Sequence, residues 1–243
     1  MSPITSNIIS RVFQVGFEED YGTGFTIESM ESQYLVSARH VFEPNYDKNE
    51  LILKNGQTLN IDLFHEESWV NLEVICNLSE NENMDIVVFT LPADISGRTE
   101  LPIVKQYFYG EDGYFLGFPY TKNMLDDTKL NNGYPFPFVK KCICSSLPLK
   151  TSEGLMFFLD GHINPGFSGG PVVFIRDNGQ IALGGVATGY VKHPGLVEYE
   201  YVEDNGKLEK EELEYLENSG IIEALSVMEI FKIIDKVQKN DLH

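Results

Sequence analysis

Short runs of apolar residues, many alternating with polar ones, recur along the chain and are separated by turn residues. Alternation places successive side chains on opposite faces of an extended strand, so these runs predict β-strands. Pairs such as Asn55-Gly56 and Asn178-Gly179 tolerate positive φ and predict tight turns between the runs. The predicted strands cover residues 12–17, 24–27, 34–37, 51–53, 58–63, 70–75, 86–91, 113–116, 138–145, 155–159, 172–175, 181–190 and 221–224.

One segment near the C-terminus has helical periodicity instead. Apolar residues recur every three or four positions across 227–237, which predicts an amphipathic helix that packs against the strands. Ser226 followed three residues later by Glu229 is typical of a capping box at the helix start. A shorter helix is predicted at 41–42, before Pro44 ends it.

No internal repeat, low-complexity linker or shift in composition divides the 243 residues, so the chain is predicted to form one unit. Many short strands at this spacing favour an all-β barrel or sandwich. The pattern fits two small barrels sharing an interface: a first barrel over about 10–95, a second over about 110–225, and the C-terminal helix over 226–240.

The run GFSGGP at 166–171 is the strongest candidate for chemistry. A serine hydroxyl needs a base to take its proton, and attack on a carbonyl creates an oxyanion that needs preplaced donors. Gly166 lets the backbone turn so that its N–H and that of Ser168 point to one spot, as an oxyanion hole requires. The run therefore predicts Ser168 as a nucleophile, with an ordinary glycine-rich turn as the alternative.

Two further residues complete a catalytic constellation with Ser168. His40 ends the apolar run 34–40, and a histidine that is neutral at pH 7 can accept the serine proton. Asp85 opens the apolar strand 86–91, where a carboxylate needs a partner such as an imidazole N–H. Taken singly, a strand-end histidine and a strand-capping aspartate are commonly structural. Together the three residues predict a general base, its orienting carboxylate and a nucleophile.

The order His40, Asp85, Ser168 and the sequences around them resemble the chymotrypsin and trypsin-like serine peptidase family. Matching segments include GTGF at 22–25, LVSARH at 35–40 and DIVVFTL at 85–91. The resemblance implies two six-stranded antiparallel barrels with the C-terminal helix, a serine endopeptidase mechanism, and no metal or cofactor. It also implies a substrate-binding strand.

By the same resemblance, substrate contacts fall on Ala187, Thr188, Gly189 and Tyr190, with His162 in the wall of the primary pocket. A histidine and a threonine there would favour an acidic or polar substrate side chain. The alternative is that His162 faces a neighbouring loop.

Departures from the digestive members favour the bacterial or intracellular branch of the family. Phe167 stands where those members carry the aspartate that binds a freshly cut N-terminus, and no Ile-Val-Gly-Gly start is present. Activation by propeptide cleavage is therefore not expected. The three cysteines, Cys76, Cys142 and Cys144, lack metal or CxxC spacing and are predicted to be reduced thiols.

The net charge of −19, from 18 basic and 37 acidic residues, excludes nucleic acid and anionic membrane surfaces as expected partners. Residues 1–15 lack the regions of a secretory signal and no long apolar run occurs, so we expect a cytoplasmic protein. The acidic segment 198–217 is interpreted as a solvated insertion, with recognition of a basic partner as the alternative.

The sequence thus predicts an endopeptidase of protein or peptide substrates that forms an acyl-enzyme. An intracellular protease needs restraint, so regulation by a trigger or a protein partner is expected. Two alternatives remain at this stage. One is a catalytically silent trypsin-like fold that acts as a binding or scaffold protein, and the other is a structural or viral-type β-barrel without chemistry.

Overall fold

Nearly all regular structure in the computed structural model is β-strand, which confirms the predicted fold class. The structure describes residues 4–43, 53–65, 68–99, 101–119, 136–202 and 208–240. None of the helices within these ranges has the length and apolar character that a membrane crossing requires.

The first six strands close into an antiparallel barrel with the order β1-β2-β3-β6-β5-β4. Burial alternates along β4, as a strand with one face on the core requires, whereas β1, β3 and β6 are buried almost throughout. Side chains such as Val15, Leu35 and Phe89 fill the barrel. The strands are β1 Val12–Phe17, β2 Asp20–Ser29, β3 Ser32–Ser37, β4 Thr58–His65, β5 Ser68–Leu78 and β6 Val87–Thr90.

The remaining strands form a second antiparallel sheet with the order β13-β12-β11-β7-β8-β10-β9. Strand β10 also pairs with β13 at the other end of this order, so all of these strands except β9 close into a second six-stranded barrel. These strands are β7 Asp112–Gly117, β8 Phe138–Cys144, β9 Leu149–Thr151, β10 Gly154–Asp160, β11 Pro171–Ile175, β12 Ile181–Val202 and β13 Leu208–Ser226.

Strands β12 and β13 run far beyond the second barrel as an exposed two-stranded ribbon. Backbone pairing continues from Lys192 opposite Asn218 to Val202 opposite Leu208. The predicted strands 181–190 and 221–224 were therefore too short, and the acidic insertion 198–217 contains paired strand. The alternation of glutamate with tyrosine or leucine carries the strand signal there, and the high charge concealed it.

The C-terminal helix, α2 (Val227–Asn240), begins at Ser226 as predicted. Ser226 Oγ accepts the Met228 N–H at 3.3 Å, as the N-cap residue of a helix does. The second contact of a capping box, from the Glu229 side chain back to the Ser226 N–H, is not formed. Glu229 Oε1 instead accepts the N–H of Leu155 at 3.0 Å and pairs with Lys232, because β10 lies within its reach. The buried face of the helix packs against the apolar residues between the barrels.

Two short elements were not predicted from the sequence: strand β9 and the N-terminal helix α1 (Ser6–Ile9). The helix predicted at 41–42 is a single 3-10 turn, Arg39–Val41. Of the predicted strand 51–53, only Leu53 lies inside the described residues, and it is not part of a strand.

Candidate active site

His40 and Asp85 are brought together by two neighbouring strands. Strand β3 ends just before His40 and β6 begins just after Asp85, and the two strands are antiparallel, so these ends coincide. Asp85 Oδ2 lies 2.7 Å from His40 Nδ1, and Oδ1 accepts the His40 backbone N–H at 2.9 Å. One carboxylate therefore fixes both the ring and the backbone of the histidine. The imidazole remains 34% exposed and can meet a ligand.

Ser168 follows a tight turn over residues 164–167. The Phe167 N–H donates to the carbonyl of Asn164 at 3.3 Å, and Gly166 has φ +96°. Proline at the second position and positive φ at the third are the signature of a type II turn. A type I turn would rotate the Pro165–Gly166 peptide and require negative φ at Gly166, so this sequence favours the observed orientation.

The N–H groups of Gly166 and Ser168 have no protein acceptor within the described part of the chain. Their carbonyls are both held by Thr23 of the first barrel: its Oγ1 donates to Gly166 at 2.7 Å and its N–H to Ser168 at 2.9 Å. The next two amides are also committed, since Gly169 donates to Ala187 and Gly170 to Phe167. Two available N–H donors therefore remain, two residues apart, beside the serine.

Gly169 allows the serine loop to lie against the first barrel. Its φ is +87°, and a Cβ at this position would stand 2.0 Å from the carbonyl oxygen of Thr23. No side chain can be accommodated there, because the clash is with backbone. The close approach lets Thr23 hold the loop from behind.

His40, Asp85 and Ser168 line one open cavity of about 790 Å³, with walls from both barrels. Ser168 Oγ lies 3.5 Å from the carbonyl oxygen of Thr188. Thr188, Gly189 and Tyr190 also line this cavity. The cavity thus combines a candidate nucleophile, a base and a neighbouring strand along which a chain can lie.

Two residues predicted to bind substrate lie elsewhere. The side chain of His162 is exposed and does not line the cavity, where its neighbour Ile163 is found instead. Ala187 is fully buried, and its carbonyl and N–H are both paired with the serine loop. The sequence alone did not identify Lys192, Glu153 and Glu223 as residues of the cavity. One signal for Glu223 was present, namely a single carboxylate within the apolar run 221–225.

Lys140 of β8 braces the loop that leads to Ser168. Its ammonium donates to the carbonyl of His162 and to Asn164 Oδ1, the latter at 2.9 Å. It also lies 5.7 Å from the ring centroid of Phe167, within cation–π range. Burial lowers the pKa of this lysine. Phe167 itself is buried against Phe115, with ring centroids 5.1 Å apart.

Residues 22–183, about two-thirds of the chain, match the model of the trypsin-like peptidase domain. The chain belongs to the trypsin-like peptidase family. It is accordingly a serine peptidase, a hydrolase. No match is found among the curated proteins.

Solved bacterial proteases share the fold of this trypsin-like peptidase at low sequence identity. The serine endoprotease from Yersinia pestis has a TM-score of 0.58 and 18% identity, over 97% of this chain and 65% of that one. The active form of the Rv3671c protease from M. tuberculosis has a TM-score of 0.57 and 14% identity, over 94% and 81%. Its inactive form gives 0.55 and 14%, over 93% and 88%.

Proposed function

We propose that this peptidase is a serine endopeptidase in which Ser168, His40 and Asp85 act as a catalytic triad. His40 takes the proton of Ser168 Oγ as that oxygen attacks the substrate carbonyl, and later gives the proton to the leaving amine. Asp85 holds the imidazole in the required tautomer. Water then releases the acyl group from Ser168, with His40 again acting as base.

The observation that carries the proposal is the pair of N–H groups of Gly166 and Ser168, which have no acceptor among the described residues and adjoin the serine. The tetrahedral intermediate carries a negative oxygen that such donors stabilise. The positive φ of Gly166 supports this orientation, because the alternative turn would rotate one of the two donors.

An extended substrate is proposed to lie along residues 188–190 of β12, adding a strand to the sheet. On the first barrel's side of the cavity, His40 then faces the bond to be cut. No step of this mechanism needs a metal ion or a cofactor.

We further propose that the peptidase acts in a reducing, cytoplasmic compartment of a bacterium under control of a trigger or protein partner. The three cysteines are unpaired and buried, which fits such a compartment. The acidic ribbon of β12 and β13 is exposed and offers a surface to a basic partner. The net charge of −19 disfavours nucleic acid and anionic membranes as partners.

Labelling with a fluorophosphonate probe tests the proposal. Wild-type protein is expected to be labelled, the Ser168→Ala variant to lose all labelling, and a Ser145→Ala variant, altered at an exposed serine outside the cavity, to be labelled as wild type. Absence of labelling in the folded wild-type protein, alone and with cell extract, would favour a silent fold that binds or scaffolds. Labelling that survives in Ser168→Ala would refute Ser168 as the nucleophile.

A further inference from the structure

Acidic residues form much of the lining of the cavity that holds the proposed triad. Besides Asp85, the lining includes Asp20, Glu43, Glu82, Glu153 and Glu223, and Lys192 is the one lysine among the described lining residues. Glu82 and Glu153 are exposed, whereas Glu223 is partly buried. A substrate chain that reaches Ser168 therefore enters a cavity with a negatively charged lining.

Glu223 lies directly beside the strand proposed to bind substrate. It is the cross-strand neighbour of Gly189, and its Oε2 lies 3.3 Å from the place where a Cβ of residue 189 would stand. Cross-strand neighbours share one face of a sheet, so the carboxylate occupies the space above the bare backbone of Gly189. Its main chain is fixed too, because Thr188 Oγ1 donates to the Glu223 carbonyl at 3.4 Å.

Among the described residues, the Glu223 carboxylate has no direct counter-charge. None of the described residues forms a hydrogen bond or ion pair with it. Burial, and secondarily the nearby Glu153, raise its pKa, while Lys192 acts in the opposite direction and Asp85 adds a smaller raising effect. A partly buried charge without a partner is costly, so a cation brought into hydrogen-bond range would be stabilised there.

The direction of an extended substrate decides which of its residues meets Glu223. The residue with the scissile carbonyl must lie at the N–H groups of Gly166 and Ser168. Ser168 Oγ lies 3.5 Å from the Thr188 carbonyl, so the scissile residue lies opposite Thr188 and the residue before it lies opposite Gly189, on the face that carries the Glu223 carboxylate. From this placement we propose that Glu223 is a specificity-determining residue that selects a lysine or arginine at the substrate position preceding the scissile residue. The inference rests on the proposed endopeptidase function.

Peptide libraries test this selection in cleavage. The library fixes the residue before the scissile residue and uses a mixture of amino acids at the other positions. Peptides with arginine or lysine at the fixed position are expected to be cut at least about tenfold faster than peptides with glutamine, because one charge-assisted hydrogen bond contributes a factor of this size. Glu223→Gln should reduce this preference to near unity, and Glu223→Lys should reverse it towards glutamate. Glu217→Gln is the matched control, since Glu217 lies exposed on the same strand outside the cavity.

Binding to the Ser168→Ala protein separates this inference from the catalytic proposal. The probes are two labelled peptides that differ at one position, the one before the scissile residue, which is arginine in one and its uncharged analogue citrulline in the other. The scissile residue is the one found by library profiling. If no peptide is cut, a fixed mixture of residues takes the place of the scissile residue. Tighter binding of the arginine peptide, lost in Ser168→Ala/Glu223→Gln, supports the role of Glu223 even if the wild type is not labelled by fluorophosphonate. Equal binding of the two peptides, or a preference for arginine that persists in Ser168→Ala/Glu223→Gln, would overturn the role of Glu223. Labelling of Ser168 in the wild-type protein would still support the catalytic proposal in that case.

Discussion

Lys140 offers the sharpest test of how the serine loop is held in the observed conformation. In digestive relatives an aspartate at the position of Phe167 binds a new N-terminus, and this chain has no such carboxylate. Here a lysine ammonium holds the same loop through the carbonyl of His162, the side chain of Asn164 and the ring of Phe167. Replacing Lys140 by methionine keeps much of the side-chain volume and removes these polar contacts.

The size of the effect follows from the contacts that are lost. A hydrogen bond from a charged donor contributes about 1.5–3 kcal/mol, and a cation–π contact at an exposed site about 0.5–1 kcal/mol. Lys140 is only partly buried, so solvent replaces part of each contact, and we expect a total of about 2 kcal/mol. A loss of about 2 kcal/mol lowers the ratio of the observed loop conformation to other conformations about 30-fold, so reactivity falls by up to the same factor.

The assay is the second-order rate of fluorophosphonate labelling, measured beside the thermal midpoint. Lys140→Met should label more slowly, by up to about 30-fold, while its midpoint changes little, since the brace acts on one loop. Lys141→Met is the matched control, because the Lys141–Asp112 ion pair at 2.7 Å is more than half exposed and lies outside the cavity. Labelling of Lys140→Met at the wild-type rate would refute the reasoning, and an equal fall in Lys141→Met would show that the effect is not specific to the loop.

Two further predictions concern buried groups. Thr23→Val should lower the free energy of unfolding in urea by about 1–3 kcal/mol and slow labelling, because the buried carbonyl of Gly166 and the N–H of Phe118 both lose the Thr23 hydroxyl. Thr23→Ser keeps the hydroxyl and should retain wild-type stability and labelling. Wild-type stability in Thr23→Val would contradict this account. Burial raises the pKa of the three cysteine thiols to about 11 or 12 and so depletes the reactive thiolate at pH 8. Ellman's reagent should therefore react slowly with native protein and rapidly with three thiols in urea, and fast reaction of the native protein would speak against their burial.

The sequence predicted the parts of this molecule that depend on local pattern. Alternating runs located most strands, and the local sequences and order of His40, Asp85 and Ser168 singled out residues that the fold brings to one cavity. Each of the three lies at a strand end or tight turn, where type and local context are informative. The strand pattern suggested two small barrels, and the family resemblance specified six antiparallel strands in each.

What the sequence missed depends on contacts between distant segments. Glu229 could equally have capped its own helix, and only the position of β10 shows why it binds Leu155 instead. His162 was assigned by its distance from Ser168 along the chain, but such a count does not fix a side chain's direction. Lys140 is 28 positions before Ser168 in the sequence, and its role as a brace became visible only when β8 was placed beside the serine loop.

Strand β13 also has a consequence for the order in which the protein is made. A ribosome has already synthesised all three residues of the proposed triad when it passes Ser168, yet the segment 221–226, which pairs with both β10 and β12, comes later. Until those residues emerge, β12 lacks its partner at 187–190 and the second barrel stays open. A nascent chain is therefore expected to carry these residues in an unassembled cavity while the ribosome adds the segment between Ser168 and residues 221–226. Activity would then begin only when the last strand docks.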